Sequence, residues 1–78
     1  MNNIEIYNKV FCDILQIDKS NLQEARLKSV PLWDSVGHMT LMAAIEDAFD
    51  ILIEPEDMLS FTSYEEVKEI LKKYDIEF

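Results

Sequence analysis

Seventy-eight residues leave room for one domain and one modest core, since short chains bury a smaller share of their surface than long ones, and a deep, walled active site is not expected. With 49% hydrophobic and 29% charged residues, the balance is that of a globular chain rather than a disordered one. Sixteen Asp and Glu against seven Lys and Arg give a net charge of -9, which repels nucleic acid and anionic membranes and favours partners with basic surfaces.

The apolar residues Ile4, Tyr7, Val10, Phe11, Ile14 and Leu15 recur at three- and four-residue steps, which predicts a first helix with one core-facing stripe. Cys12 within it is the only cysteine, so no disulfide forms in the chain, and it reads as a small packing residue. With no long apolar run and no leader-like start, the expectation is a soluble protein of the reducing cytoplasm. Residues 17–34, "IDKSNLQEARLKSVPLWD", mix Ser, Asn, Pro and charges with scattered Leu22, Leu27, Val30, Leu32 and Trp33, which predicts a loop anchored by its apolar residues. A second helix is expected from Asp34, a good N-cap acceptor, to about Phe49, with Trp33 packing back on its first turn. "DILIE", residues 50–54, reads as a loop. Pro55 followed by Glu56 and Asp57 suits a helix N-terminus and predicts a short third helix near 56–60. Ser63 stands three residues before Glu66, a capping-box spacing, and Val67, Ile70, Leu71 and Tyr74 share a face, which predicts a last helix over 63–74. The expected fold is all-α, a small four-helix bundle of three longer helices and one short one, with residues 1–78 forming a single domain.

The second helix holds more apolar residues than one core stripe needs. At about 100° per residue, Leu41, Ala44, Ile45, Ala48 and Phe49 gather on one arc, the expected core side, while Val36, Met39 and Ala43 gather on another. Ser35 lies at the edge of that second arc, and Glu46 and Asp47 flank it, so the arc has the character of a shallow apolar docking patch with an acidic rim. The alternative is that the 17–34 loop covers Val36, Met39 and Ala43.

An Asp-Ser pair opening a helix, followed by "LMAAIEDAFDILIEPED" and a capped last helix, resembles the acyl carrier protein family over nearly the whole chain. The resemblance implies that Ser35, behind Asp34, carries a covalent 4'-phosphopantetheine arm attached by a phosphopantetheinyl transferase. It also implies that the protein is a cytoplasmic monomer without an activity of its own, which carries an acyl thioester, as in fatty-acid or polyketide synthesis. Its partners would be acyl-loading ligases, synthases and transferases with basic docking surfaces. Val36 stands where leucine is usual, and Gly37 and Thr40 stand where fatty-acid-type carriers often have acids. A glycine two residues after the serine also occurs in carriers of activated amino acids. An aminoacyl or peptidyl carrier of the D-alanyl type, loaded by an adenylating ligase, therefore stays open beside the acyl carrier.

A serine in the first turn of a helix is exposed, and a phosphodiester there sits near the free N–H groups and positive dipole end. As a nucleophile Ser35 would need a base and an orienting third group, yet there is no G-x-S-x-G elbow, and Leu32 and Trp33 precede Asp34 where the Gly-Asp-Ser of some lipases has a glycine. His38, the only histidine, reads as an exposed helix residue without a role, the alternative being contact with the arm or a partner. "EPED" lacks the spacing and central glycine of an EF-hand loop, so no metal site is expected beyond loose divalent binding. Met39, Met42 and Met58 read as packing residues, with Met39 on the docking arc and Met58 placed to line a path for cargo. The alternative to a carrier is a small acidic helical adaptor for basic proteins.

Overall fold

The computed structural model describes residues 2–78. It contains four α-helices: α1 (Asn3–Leu15), α2 (Ser35–Phe49), α3 (Pro55–Ser60) and α4 (Tyr64–Leu71). No strand occurs among the described residues, and "DILIE" is a loop, as expected. The segment between α1 and α2 is more structured than a loop, because Lys19–Glu24 form a 3-10 helix. A second 3-10 turn, Lys72–Tyr74, ends the expected last helix.

The helix starts follow local chemistry. Asn2 Oδ1 accepts from Glu5 N at 3.0 Å to cap α1, and Ser63 Oγ accepts from Glu66 N at 3.1 Å to cap α4. Pro55 occupies the first turn of α3, where its missing N–H costs no helical hydrogen bond. The helix ends are less ordinary. Gln16 and Asp50 close α1 and α2 in the left-handed region at φ 56° and 54°, and Asp75 does the same after the last 3-10 turn at 63°.

The core is built mainly on α1 and α2, whose mutual packing is the most extensive in the fold. Tyr7, Phe11 and Leu15 of α1 meet Leu41, Met42 and Ile45 of α2, and Val67 and Leu71 of α4 close the third side. Burial of each such side chain is worth about 1.5–3 kcal/mol, which is why three faces of this size hold a short chain together. Phe11 stands edge-on to both Trp33 and Tyr64, at 5.5 and 5.3 Å between ring centres. The Tyr7 hydroxyl donates to the Tyr64 carbonyl, and burial pushes its pKa up, so it stays a neutral donor.

The segment from 17 to 34 is anchored as expected through buried Leu22 and Trp33 and half-buried Leu27 and Val30, with Ala25 buried as well, but Leu32, expected among the anchors, is exposed. It is also paired to the start of α4. Leu27 N donates to the Thr62 carbonyl at 2.8 Å and Tyr64 N to the Ala25 carbonyl at 3.0 Å, around an isolated bridge between Arg26 and Ser63.

The expected core arc of α2 is corrected: Ala48 is exposed and Ala44 and Phe49 are only half-buried, while Met42, read as a packing residue, is fully buried. The core lies between Leu41 and Met42 around the helix, closer to the Met42 side than the expected arc, because α1 packs there.

Helix α3 buries no apolar side chain; its one buried residue is Asp57. That carboxylate accepts from Lys73 Nζ at 2.9 Å and from the Tyr74 hydroxyl, which in turn accepts from Glu54 N at 3.0 Å. Hydrogen bonds from Tyr74 and Lys73 hold the Asp57 pKa below its ordinary value of 3.8. The stabilisation is therefore present above that ordinary value and is lost as pH falls through the lower folded one. In acid titrations followed by denaturant unfolding, wild type should exceed Asp57→Asn in stability at pH 6, and the gap should close as pH falls below 3.8 and through the lowered folded value, where both come to carry a neutral side chain.

Candidate functional site

The site begins two residues before the serine. Trp33 N donates to the Val30 carbonyl at 2.9 Å and Lys28 N to the Trp33 carbonyl at 2.8 Å, a tight turn that aims the indole inward. There Trp33 has no exposed surface, and its Nε1 donates to His38 Nδ1 at 3.0 Å with the two rings nearly parallel. Trp33 precedes the helix cap and His38 is the fourth helical residue, the positions of a staple, as expected of Trp33. Here the pair is joined by a hydrogen bond as well as by ring contact.

Asp34 caps α2. Its Oδ1 accepts from Gly37 N at 2.8 Å and its carbonyl from His38 N at 2.7 Å. Ser35 is therefore the first helical residue, and it is exposed. The N–H groups of Ser35 and Val36 have no backbone acceptor among the described residues, so an anion on the Ser35 hydroxyl would meet both of them and the positive end of a 15-residue helix. These residues fit a phosphodiester at Ser35.

Gly37 has a structural reason that its sequence context does not show. A Cβ on it would lie 1.7 Å from the Leu32 carbonyl oxygen, a backbone atom that no side-chain rotation can move. The glycine lets the turn carrying Trp33 close against the first turn of α2.

Val36 and Met39 are 76% and 60% exposed, and Ala43 is exposed beside them, so the 17–34 segment does not cover this arc. Ser35 lies at its edge and Asp47 is exposed on its far flank. Glu46 departs from the expected free rim: it is half-buried and its Oε2 accepts from Ile53 N at 2.8 Å, tying the 50–54 loop to α2. Asp47 makes no ion pair among the described residues and stands in the last turn of α2, where the dipole disfavours a negative charge. Local stability does not explain it.

Two exposed apolar residues were not anticipated, Leu52 and Leu59, at 85% and 83%. Leu52 adjoins Ile53, held by Glu46; Leu59 adjoins Met58, whose carbonyl lies 2.9 Å from His38 Nε2. Both therefore belong to segments fastened along α2. For Leu52 the signal was the alternation in "DILIE", where Ile53 is buried and Ile51 half-buried.

His38 is not the exposed, idle residue expected. It is half-buried, with both ring nitrogens engaged: Nδ1 accepts from Trp33 and Nε2 donates to the Met58 carbonyl. The donor on one side and the acceptor on the other fix the tautomer, and no lone pair is left to take a proton from Ser35.

Cys12 is half-buried, and burial pushes its thiol pKa up, which fits a packing role. Among the described residues no group of three or more His, Cys, Asp or Glu is placed to hold a metal ion, and Asp57 of "EPED" is taken up by Lys73 and Tyr74. No described helix is long and apolar enough to cross a membrane. Comparison of the chain with protein-family models, curated proteins and solved structures finds no match.

Two substitutions test the geometry around Ser35. Gly37→Ala should destabilise by about 1–3 kcal/mol, because overlap with a backbone oxygen outweighs the roughly 1 kcal/mol that alanine gains in helix propensity. Asp34→Ala should cost about 1 kcal/mol through loss of the cap, and Ser35→Ala under about 0.5 kcal/mol; urea unfolding of the three variants gives the order.

Proposed function

We propose that the protein is a carrier that presents an acyl group as a thioester on a 4'-phosphopantetheine arm attached to Ser35. The observation that supports this most is the placement of an exposed serine at the first position of a capped helix, at the edge of an uncovered apolar arc. The resemblance of "DSVGHMTLMAAIEDAFDI" to acyl carrier proteins supports the same reading.

The chain's own groups do little chemistry in this scheme. Ser35 Oγ forms the new P–O bond on the arm of coenzyme A while the nucleotide half leaves, and the docked transferase supplies the base for the hydroxyl proton, since His38 has no free lone pair. Asp34 and the first turn of α2 hold the hydroxyl outward. When attached, the arm supplies the thiol that bears the cargo. A partner with a basic rim would meet Asp47 and rest on Val36 and Met39, with Leu59 extending the apolar contact. Apolar anchors on this face, in a chain whose net charge is -9, suit the loading ligases, synthases and transferases of such a pathway.

An amino acid as cargo, delivered by an adenylating ligase, remains the second reading. Gly37 does not favour it, because the approach of the Leu32 carbonyl accounts for that glycine without reference to cargo. Incubation of the modified protein with candidate ligases separates the two. A small acidic adaptor would use the same exposed face but would never gain mass.

Co-expression with a broad-specificity phosphopantetheinyl transferase should add one phosphopantetheine to the wild type and none to Ser35→Ala, as read by intact mass. An unmodified wild type under conditions that load a control carrier overturns the proposal. Met39→Ala should slow loading about threefold or more at every salt concentration, whereas Asp47→Lys should slow it chiefly at low salt, because rim charges act on encounter and apolar anchors on residence. Asp47 is the cleaner charge test, since Glu46→Lys would also release Ile53 N.

A further inference from the structure

We infer that His38 is a positioning residue, a latch that fixes how α3 lies against the start of α2 and so sets the shape of the surface around Ser35. Three observations lead there. Helix α3 is six residues long, lacks a side-chain cap and has no fully buried apolar side chain, its half-buried Met58 being the one that packs against the core. Its other fastenings are polar: Asp57 to Lys73 and Tyr74 on the α4 side, and the Met58 carbonyl to His38 Nε2 on the α2 side. His38 is in turn oriented by Trp33, fully buried, whose indole N–H occupies Nδ1 and so leaves the proton on Nε2, where it faces α3.

The chain from indole to imidazole to carbonyl thus links a fixed point of the core to the least firmly packed helix. It passes through the turn of α2 that bears Ser35. With the imidazole bond in place, exposed Leu59 is held beside α2 together with Met58; without it, α3 keeps its α4 fastening, the packing of the half-buried Met58 side chain and its flanking Ile53 and Phe61. Elements with few buried apolar contacts open locally at low free energy, so the loss of one hydrogen bond should show in α3 before it shows in α1 or α4. That His38 thereby shapes what a transferase meets rests on the carrier reading above; the latch itself does not.

Amide hydrogen exchange of the unmodified full chain tests the latch. In His38→Ala the Met58, Phe61 and Thr62 amides should exchange about three- to tenfold faster than in wild type, the span expected of one net hydrogen bond, while amides in the middle of α1 and α4 stay unchanged. His38→Gln, whose amide can accept from Trp33 and donate to Met58, should return most of that protection. Trp33→Phe, which removes the indole donor and keeps an aromatic ring, should loosen α3 in the same direction. Transferase loading provides the second arm: His38→Ala should raise KM about threefold with kcat nearly unchanged, and His38→Gln should restore it. Unchanged exchange at Met58–Thr62 in His38→Ala overturns the latch, and so does acceleration spread evenly over all helices, which would make His38 a general stabiliser. If His38→Ala does not fold, Trp33→Phe and His38→Gln decide the matter through the same amides. A wild type that never loads at Ser35 removes the carrier reading and leaves the exchange result standing.

Discussion

Trp33 has no exposed surface, and the start of α2 is arranged around that fact. Its indole stands edge-on to Phe11 in the core and donates to His38, so the residue before the helix cap is held from two sides. A buried indole N–H needs an acceptor, and the imidazole nitrogen one helical turn into α2 supplies it. With Trp33 fixed inward and Asp34 turned to cap Gly37, Ser35 has only the outward direction left. The exposure of the serine is thus a consequence of the burial of its neighbour, not a separate property of the helix.

The charge of the chain is distributed in keeping with this division. The ion pairs Lys9–Asp13, Glu65–Lys68 and Glu69–Lys72 lie within the stretches that include α1 and α4, at helical spacings, and are largely exposed, so each contributes little to stability. Helix α2 carries no Lys or Arg. Its acids therefore face solvent or the backbone without neutralisation from their own helix, and its outer face stays both apolar and negative in potential. Exposed Asp47 thus stands beside the exposed apolar residues Val36 and Met39 with no cation on the same helix to offset it.

Much of this was legible in the sequence, and the part that was not has a common cause. The caps at Asp34 and Ser63, the first-turn Pro55 and the stripe of α1 depend on residues three or four apart, so local patterning located all four helices to within a few residues. The 3-10 helix at Lys19–Glu24 was not legible, because Leu22 is its one buried residue and the chain just after it is ordered by pairing with the start of α4. Ala48 was misplaced because the direction from which neighbouring elements pack is tertiary information that periodicity on α2 lacks. The roles of Glu46 and Gly37 arise from backbone atoms of Ile53 and Leu32 that reach α2 from outside it. His38 is the instructive case: its spacing from Trp33 is that of a staple, a signal present in "WDSVGH", but its bond to Met58 crosses twenty residues. Ser35 itself was found through the cap and the resemblance, and the structure adds that the arc beside it is uncovered.

The chain contains a single glycine, and it is spent inside α2 rather than at a helix end. Gln16, Asp50 and Asp75 therefore adopt left-handed backbone without the residue best suited to it, and Lys28 does so in the turn before Trp33 at φ 71°. Each such position holds about 1 kcal/mol of conformational strain, less for aspartate than for lysine or glutamine. None of the four lies on the outer arc of α2. Gln16 and Asp75 lie at joints outside α2, so conformational strain could be relieved there without touching the exposed arc. A designer or a lineage can harden the scaffold at those corners while the exposed arc of α2 keeps its composition unchanged.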